Sequence, residues 1–182
     1  MSEHAHQEFR ALIERAQRGD EQAFSALYTL WYTPIFRFVL ARVGERSDAE
    51  DLTQDIFLKL CQVVPTLQLR AESPLSYLYT IARNRVTDHY RKKKSLSLEA
   101  LEIEEVEDKT MDPLKDSIRQ NDLSNIAEAL TGLSQEYQDI ITLRVLEGLS
   151  SREVGLILGK SEEAVRQMQV RALRALRECV KE

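Results

Sequence analysis

The sequence predicts an all-α protein: two small helical domains joined by an acidic linker, the C-terminal domain a helix-turn-helix. Three observations carry that prediction. No segment shows sustained period-two alternation, while apolar residues recur at helical spacing on both sides of a short acidic stretch. Gly is 6 and Pro 4 in 182 residues, too few for the turns of a barrel or sandwich. Charge is segregated along the chain. Residues 1–95 hold 14 basic and 12 acidic side chains, residues 96–122 hold 3 and 9, and residues 123–182 hold 8 and 9. Most of the net charge of -5 therefore sits in the middle block. That block is acidic and non-aromatic, and Pro113 interrupts it, so it reads as a solvated linker. The domains that follow are 1–95, the linker 96–122, and 123–182.

The elements follow in order. Residues 7–17 put Phe9, Leu12, Ile13 and Ala16 on one helix face. Asp20 can cap a second helix with Ala23, Phe24, Leu27, Tyr28 and Trp31, which Pro34 kinks or restarts before the apolar run Phe36 to Val43. Ser47 and Glu50 have capping-box spacing before a helix through Leu52, Ile56, Phe57 and Leu60. Ser73-Pro74 opens a long helix to Lys94, with Leu75, Leu78, Tyr79, Ala82 and Val86 as its buried stripe. Past the linker, Ile118 to Leu130 is amphipathic and Gly132 ends it. Ser134 caps a helix to Glu147, which Gly148 stops. Ser150 and Glu153 form another capping box, Gly159 breaks that short helix, and Ser161 caps the last one, to about Val180.

Composition excludes several classes. No apolar run approaches the roughly 18 residues of a membrane span, and Met1 to Arg10 lacks the apolar stretch of a signal peptide. A cytoplasmic protein without membrane insertion is expected. Cys61 and Cys179 suggest neither a disulfide framework nor a zinc site. His4 and His6 fall in a tail that reads as frayed, and His89 lies among cations. No carboxylate–histidine pair, nucleophile elbow or phosphate-cradling loop is visible, so no enzyme, catalytic residue, cofactor or metal is expected.

Two stretches carry binding chemistry. RNRVTDHYRKKK, residues 83–94, holds six cations against the single acid Asp88. Cations neutralise phosphates and release counterions. Asn84, Thr87 and Tyr90 could add hydrogen bonds or stacking to unpaired bases. A helix end complementing its own dipole is the plain alternative, but four consecutive cations exceed what a dipole needs. SREVGLILGKSEEAVRQMQV, residues 151–170, fits a helix-turn-helix. Gly155 allows close helix approach, Gly159 supplies the turn, and Val154, Leu158, Val165 and Met168 are the contacts between the helices. Arg166, Gln167, Arg171 and Arg174 project away from that stripe, and Arg reads guanine as Gln reads adenine. An ordinary αα-hairpin is the plain alternative. A third surface is acidic. Asp48, Asp51 and Asp55 lie three or four apart on one helix face, with Glu50 and Gln54 beside them; a basic partner would relieve their repulsion.

These stretches, in this order around a linker, resemble bacterial extracytoplasmic-function (ECF) sigma factors, the short two-domain RNA polymerase subunits of the sigma-70 family. DAEDLTQDIFLKL resembles the helix that docks on core polymerase. YLYTIARNRVTDHYRKKK resembles the promoter-melting helix that reads the -10 element. The segment from Leu133 to Glu178 resembles the domain that reads the -35 element. Several expectations are implied by that resemblance. Asp48, Asp51, Gln54 and Asp55 would dock on core RNA polymerase, whose clamp and flap are the expected partners. Arg83, Asn84, Thr87, Asp88, Tyr90, Arg91 and Lys92 would engage -10 DNA. Residues 65–73 would help capture a flipped base, and the linker would run through the polymerase channel used by RNA. Arg166, Gln167, Arg171 and Arg174 would read the -35 element of promoter DNA. An anti-sigma protein is a further candidate partner, covering the acidic face and the -35 domain. The family often has Trp where Tyr77 stands and a basic residue where Met168 stands. A stand-alone helix-turn-helix regulator is the competing class; it needs neither the DAEDLTQD face nor the cationic helix end.

Overall fold

A computed structural model describes residues 3–68, 75–100, 128–130 and 132–179. Most of the linker 96–122, most of the expected helix Ile118 to Leu130, the Ser73-Pro74 cap and residues 69–73 of the base-capture loop lie outside them. Among the described residues every regular element is helical.

Helix α1 spans Glu3–Gln17 and buries Phe9, Leu12 and Ile13, so it begins a turn earlier than its apolar spacing suggests. Helix α2, Glu21–Val43, is capped by the Asp20 carboxylate, which accepts from the Gln22 and Ala23 amides. Pro34 does not divide it. The proline frees the carbonyl four residues back, on Leu30, and Leu30 is 43% exposed on the solvent side, where water can serve that carbonyl. Packing of Trp31, Ile35 and Phe38 on either side of the break holds one continuous helix.

Helix α3, Arg46–Val63, is capped by Glu45 rather than Ser47: the Glu45 carboxylate accepts from the Ser47 and Asp48 amides. Glutamate is an uncommon cap, so a rule built on serine places the start two residues late. A 3-10 turn, Val64–Thr66, follows, pinned by Gln17, whose amide donates to the Val64 and Leu67 carbonyls. Helix α4, Ser76–Ala100, buries Leu75 at its entrance and then Leu78, Tyr79, Ala82 and Val86, the predicted stripe. It packs on both α2 and α3.

In the C-terminal part, Ser134 caps α5, Gln135–Ile141. The chain then widens into a π-turn, Thr142–Leu146, in which the Glu147 amide reaches back to the Thr142 carbonyl at 3.0 Å. Helix α6, Ser151–Leu158, has the predicted Ser150–Glu153 capping box and ends on Gly159 at φ 66°. Helix α7, Glu162–Cys179, has the Ala164 amide of its first turn donating to the Ser161 hydroxyl. It crosses both α5 and α6. The close turn depends on Gly155. A Cβ there would stand 2.6 Å from the Lys160 carbonyl oxygen, inside contact distance and against backbone that cannot swing away.

The two parts pack on each other. Helix α4 meets α6, and α2 meets the π-turn.

Gly155→Ala is expected to destabilise the C-terminal domain by about 1–3 kcal/mol, the usual cost of overpacking. A melting temperature equal to wild type, read by circular dichroism, would contradict the close approach.

Candidate functional site

The acidic face of α3 stands clear of the core. Asp51, Gln54 and Asp55 are exposed and Asp48 is half-buried, while Ala49, Thr53, Ile56, Phe57 and Leu60 on the opposite side are buried. Leu58 joins the exposed face at 62% exposure. Residues 51, 54, 55 and 58 thus form one stripe at i, i+3, i+4 and i+7, polar around a single apolar knob, the spacing that fits a helix to a partner surface. Leu58 could have been found from the sequence, since it falls on the polar side of the helical period. His89 of α4 borders the same shallow groove, its Nε2 3.5 Å from Asp48 Oδ2.

The end of α4 is divided between two environments. Asn84, Asp88, Arg91 and Lys92 are exposed, and Arg91 pairs loosely with Asp88 at 3.9 Å. Thr87 is half-buried and its hydroxyl donates to the Arg83 carbonyl. Tyr90 turns inward and donates its hydroxyl to the Arg42 carbonyl at the end of α2; burial raises its pKa. Arg83 is held from the C-terminal part: its Nε donates to Asp139 Oδ2 at 2.7 Å.

The four candidate positions of α7 are exposed, and Arg166 and Gln167 are paired within the helix. Arg166 bonds Glu162 and approaches Glu163 at 3.7 Å, and Gln167 donates to Glu163 at 3.2 Å. Arg171 and Arg174 are exposed. Val165 is buried and Met168 half-buried, which makes them the helix-turn-helix packing residues. The two first-turn acids thus occupy the donors of Arg166 and Gln167.

Polar groups also cross between the two parts. Asp139 of α5 is 2% exposed and takes one arginine on each oxygen, Arg42 on Oδ1 and Arg83 on Oδ2. Arg42 Nε donates to Gln138 Oε1 at 3.2 Å, and the Gln138 amide donates to the Leu130 and Leu133 carbonyls. Tyr79 of α4 donates its hydroxyl to Glu147 Oε2 at 2.9 Å, with Arg37 3.6 Å from the same oxygen. His6, expected in a frayed tail, is 9% exposed in α1 and lies 2.6 Å from Glu153 of α6. None of these cross-pairs was legible in the sequence, because their members lie far apart in the chain.

Sequence comparison fits this arrangement. The Sigma-70 region 2 model matches residues 27–96, and the Sigma-70, region 4 model matches residues 129–178. The ECF RNA polymerase sigma factor SigD of Mycobacterium tuberculosis (strain ATCC 25618 / H37Rv) is 30% identical over 173 residues, covering 92% of this chain and 82% of SigD. This chain belongs to the ECF RNA polymerase sigma factors. The ECF sigma factor BldN of Streptomyces coelicolor is 36% identical over 171 residues, 91% of this chain; the chain spans 63% of the length of BldN. Two solved structures share the fold. CnrH in complex with the cytosolic domain of CnrY has a TM-score of 0.73 at 21% identity, covering 96% of this chain and 97% of that one. RpoE in complex with the anti-sigma factor NepR from Bartonella quintana has a TM-score of 0.69 at 23% identity, covering 87% and 96%. Among the described residues of this sigma factor no helix is long and apolar enough to cross a membrane.

Two buried carboxylates in this sigma factor titrate in opposite directions. Burial pushes Glu147 above the usual glutamate range, against the bond from Tyr79 and the charge of Arg37. Burial also works on Glu153, but the Ser150 hydroxyl and amide and the neighbouring His6 outweigh it and hold Glu153 low. A raised carboxyl binds its proton more tightly folded than unfolded, so stability falls as pH rises between the two values. The contribution of Glu153 has the other sign, present above the ordinary glutamate range and lost below it. Glu147→Gln keeps an acceptor for Tyr79 and removes the first effect. Its melting temperature is therefore expected to rise less than that of wild type on going from pH 7.5 to pH 5.5; equal slopes would place Glu147 in water.

Proposed function

We propose that this alternative sigma factor binds core RNA polymerase, at its clamp and flap, and directs initiation at promoters by reading -10 and -35 elements. The observation that carries the reading is one domain presenting two opposite exposed surfaces: the acidic stripe of α3 and the cationic end of α4. A polymerase-docking helix needs the first and an opened DNA strand needs the second. Asp48, Asp51, Gln54 and Asp55 make the docking contact around Leu58. Arg91 and Lys92 neutralise phosphates, Asn84 and Asp88 offer hydrogen bonds to bases, and Arg83, Thr87 and Tyr90 join them once freed from their present partners. Arg166, Gln167, Arg171 and Arg174 meet base edges and phosphates of the -35 duplex.

The protein is not itself an enzyme in this reading. Polymerase makes the phosphodiester bonds, and the sigma factor lowers the cost of opening the duplex by binding the unpaired strand. It works in the cytoplasm, and an anti-sigma protein is a partner in keeping with the solved complex of RpoE with NepR. The competing class, a stand-alone regulator, leaves the α3 stripe without a use.

Asp51→Lys with Asp55→Lys is expected to abolish core-polymerase binding and leave the fold intact, since both side chains are exposed. Normal binding in a pull-down with purified core would remove the docking assignment. Arg91→Ala with Lys92→Ala is expected to weaken open-complex formation and to flatten its dependence on salt by about two phosphate contacts, a log–log slope change of about 1.4 on single-stranded DNA. An unchanged slope would take these cations off the DNA.

A further inference from the structure

We propose that the interdomain contact is an autoinhibitory lock in which Asp139 occupies Arg83 and thereby covers part of the -10 surface. The proposal rests on the -10 reading of α4 for its consequence, though not for the lock itself.

The charges at the contact are sorted by domain. In the ion pairs described across it, the cations come from the N-terminal part, His6 (when protonated), Arg37, Arg42 and Arg83, and the carboxylates from the C-terminal part, Asp139, Glu147 and Glu153. The side chains of Arg42 and Asp139 are 1% and 2% exposed. Asp139 has no side-chain bond within its own domain among those described; its two oxygens serve only Arg42 and Arg83. Its placement is accounted for by closure and not by the folding of α5. The same holds for the Glu147 carboxylate, whose partners Tyr79 and Arg37 both lie across the contact.

The lock and the DNA site compete for the same donors. Arg83 Nε can face Asp139 or a phosphate, but not both in the same geometry. Tyr90, three helix residues from Thr87, is anchored on the carbonyl of Arg42, the residue that Asp139 holds. Opening the contact frees Arg83; the Tyr90 bond, which lies within the N-terminal domain, is not part of the lock. Opening also returns Arg42, Asp139 and Glu147 to water, so the closed state is a balance of ion pairing against hydration. Docking on polymerase and DNA can tip such a balance, because the open state alone offers both domains to separate sites.

The native cysteines give the test. Cys61 of α3 and Cys179 of α7 are both exposed, one in each domain. Donor and acceptor dyes on them report domain separation in the full-length chain. Binding of a fluorescent single-stranded DNA of mixed sequence, without polymerase, reports access to α4. Asp139→Asn is expected to lower energy transfer and to tighten DNA binding at least tenfold. Tyr79→Phe keeps the ring against Phe38, loses only the bond to Glu147, and is expected to shift both readouts in the same direction by less. Transfer unchanged from wild type in both variants overturns the lock. Lowered transfer with unchanged DNA affinity overturns the occlusion of α4. Arg91→Ala with Lys92→Ala, run beside them, separates the two readings. If that variant also leaves DNA affinity unchanged, the -10 assignment has failed, and the transfer result alone judges the lock.

Discussion

The Asp139 carboxylate is the point on which the arrangement of the two domains depends. It is shared by Arg42, at the end of α2, and Arg83, in the middle of α4, and almost no water reaches it. Burying the Arg42–Asp139 pair is costly, and such a pair is stable only if each charge is matched and each remaining polar atom bonded. Here both oxygens are taken. The free Nε of Arg42 has Gln138, and Gln138 is fixed by two carbonyls of its own domain. Removing one member of a buried pair generally costs about 3–5 kcal/mol, because the other charge is left stranded. In a two-domain protein the stranded charge has an escape that a core residue lacks: the domains can part and let water in. The same energy that would unfold a single domain is available to open this one.

That constraint explains details that would otherwise be unrelated. The π-turn at Thr142–Leu146 adds a residue to the helical winding where α2 passes, and it brings Glu147 to the hydroxyl of Tyr79. Tyr79 is among the largest fully buried side chains, packed edge-on to Phe38, and its hydroxyl needs an acceptor that its own domain does not give it. Glu147 supplies it and is held above its usual pKa by burial in return. At the far side, Glu153 both closes the capping box of α6 and touches His6, so the start of the helix-turn-helix is tied to the first helix of the chain.

The helices and the helix-turn-helix were legible because their signals are local. Caps at Asp20, Ser134 and Ser150, the apolar stripe of α4, and Gly155 with Gly159 each work within a few residues, and each stands where the spacing put it. The start of α3 was misplaced by two residues because Glu45 does a serine's work, and α2 runs through Pro34 because tertiary packing outweighs one lost bond. The exposed members of the candidate sites, Asp51, Gln54, Asp55, Asn84, Arg91 and the α7 arginines, were legible as polar positions on amphipathic helices. What could not be read was pairing across the chain. Arg42 and Asp139 carry no local signal that singles them out, and His6 looked like tail. Nothing in their neighbours in sequence marks them, since 97 residues separate Arg42 from Asp139.

The pairing also changes what a cation on α4 means. A carboxylate and a phosphate oxygen offer an arginine nearly the same bond, so a surface built to hold DNA is a surface that the protein's own acids can occupy. The recognition helix repeats the theme on a smaller scale, with Glu162 and Glu163 resting on Arg166 and Gln167. An occupied arginine is kept from binding nucleic acid at random, and DNA must displace a carboxylate before it can bind. Exchange of that kind filters partners by the number of contacts they make together. A lone phosphate gains too little to break Asp139 from two arginines, whereas polymerase and a promoter engage both domains at once and can recover the cost across several sites. A chain whose net charge is -5 can thus carry two candidate DNA-contacting surfaces and still leave part of each, Arg83 and Arg166, occupied by its own carboxylates.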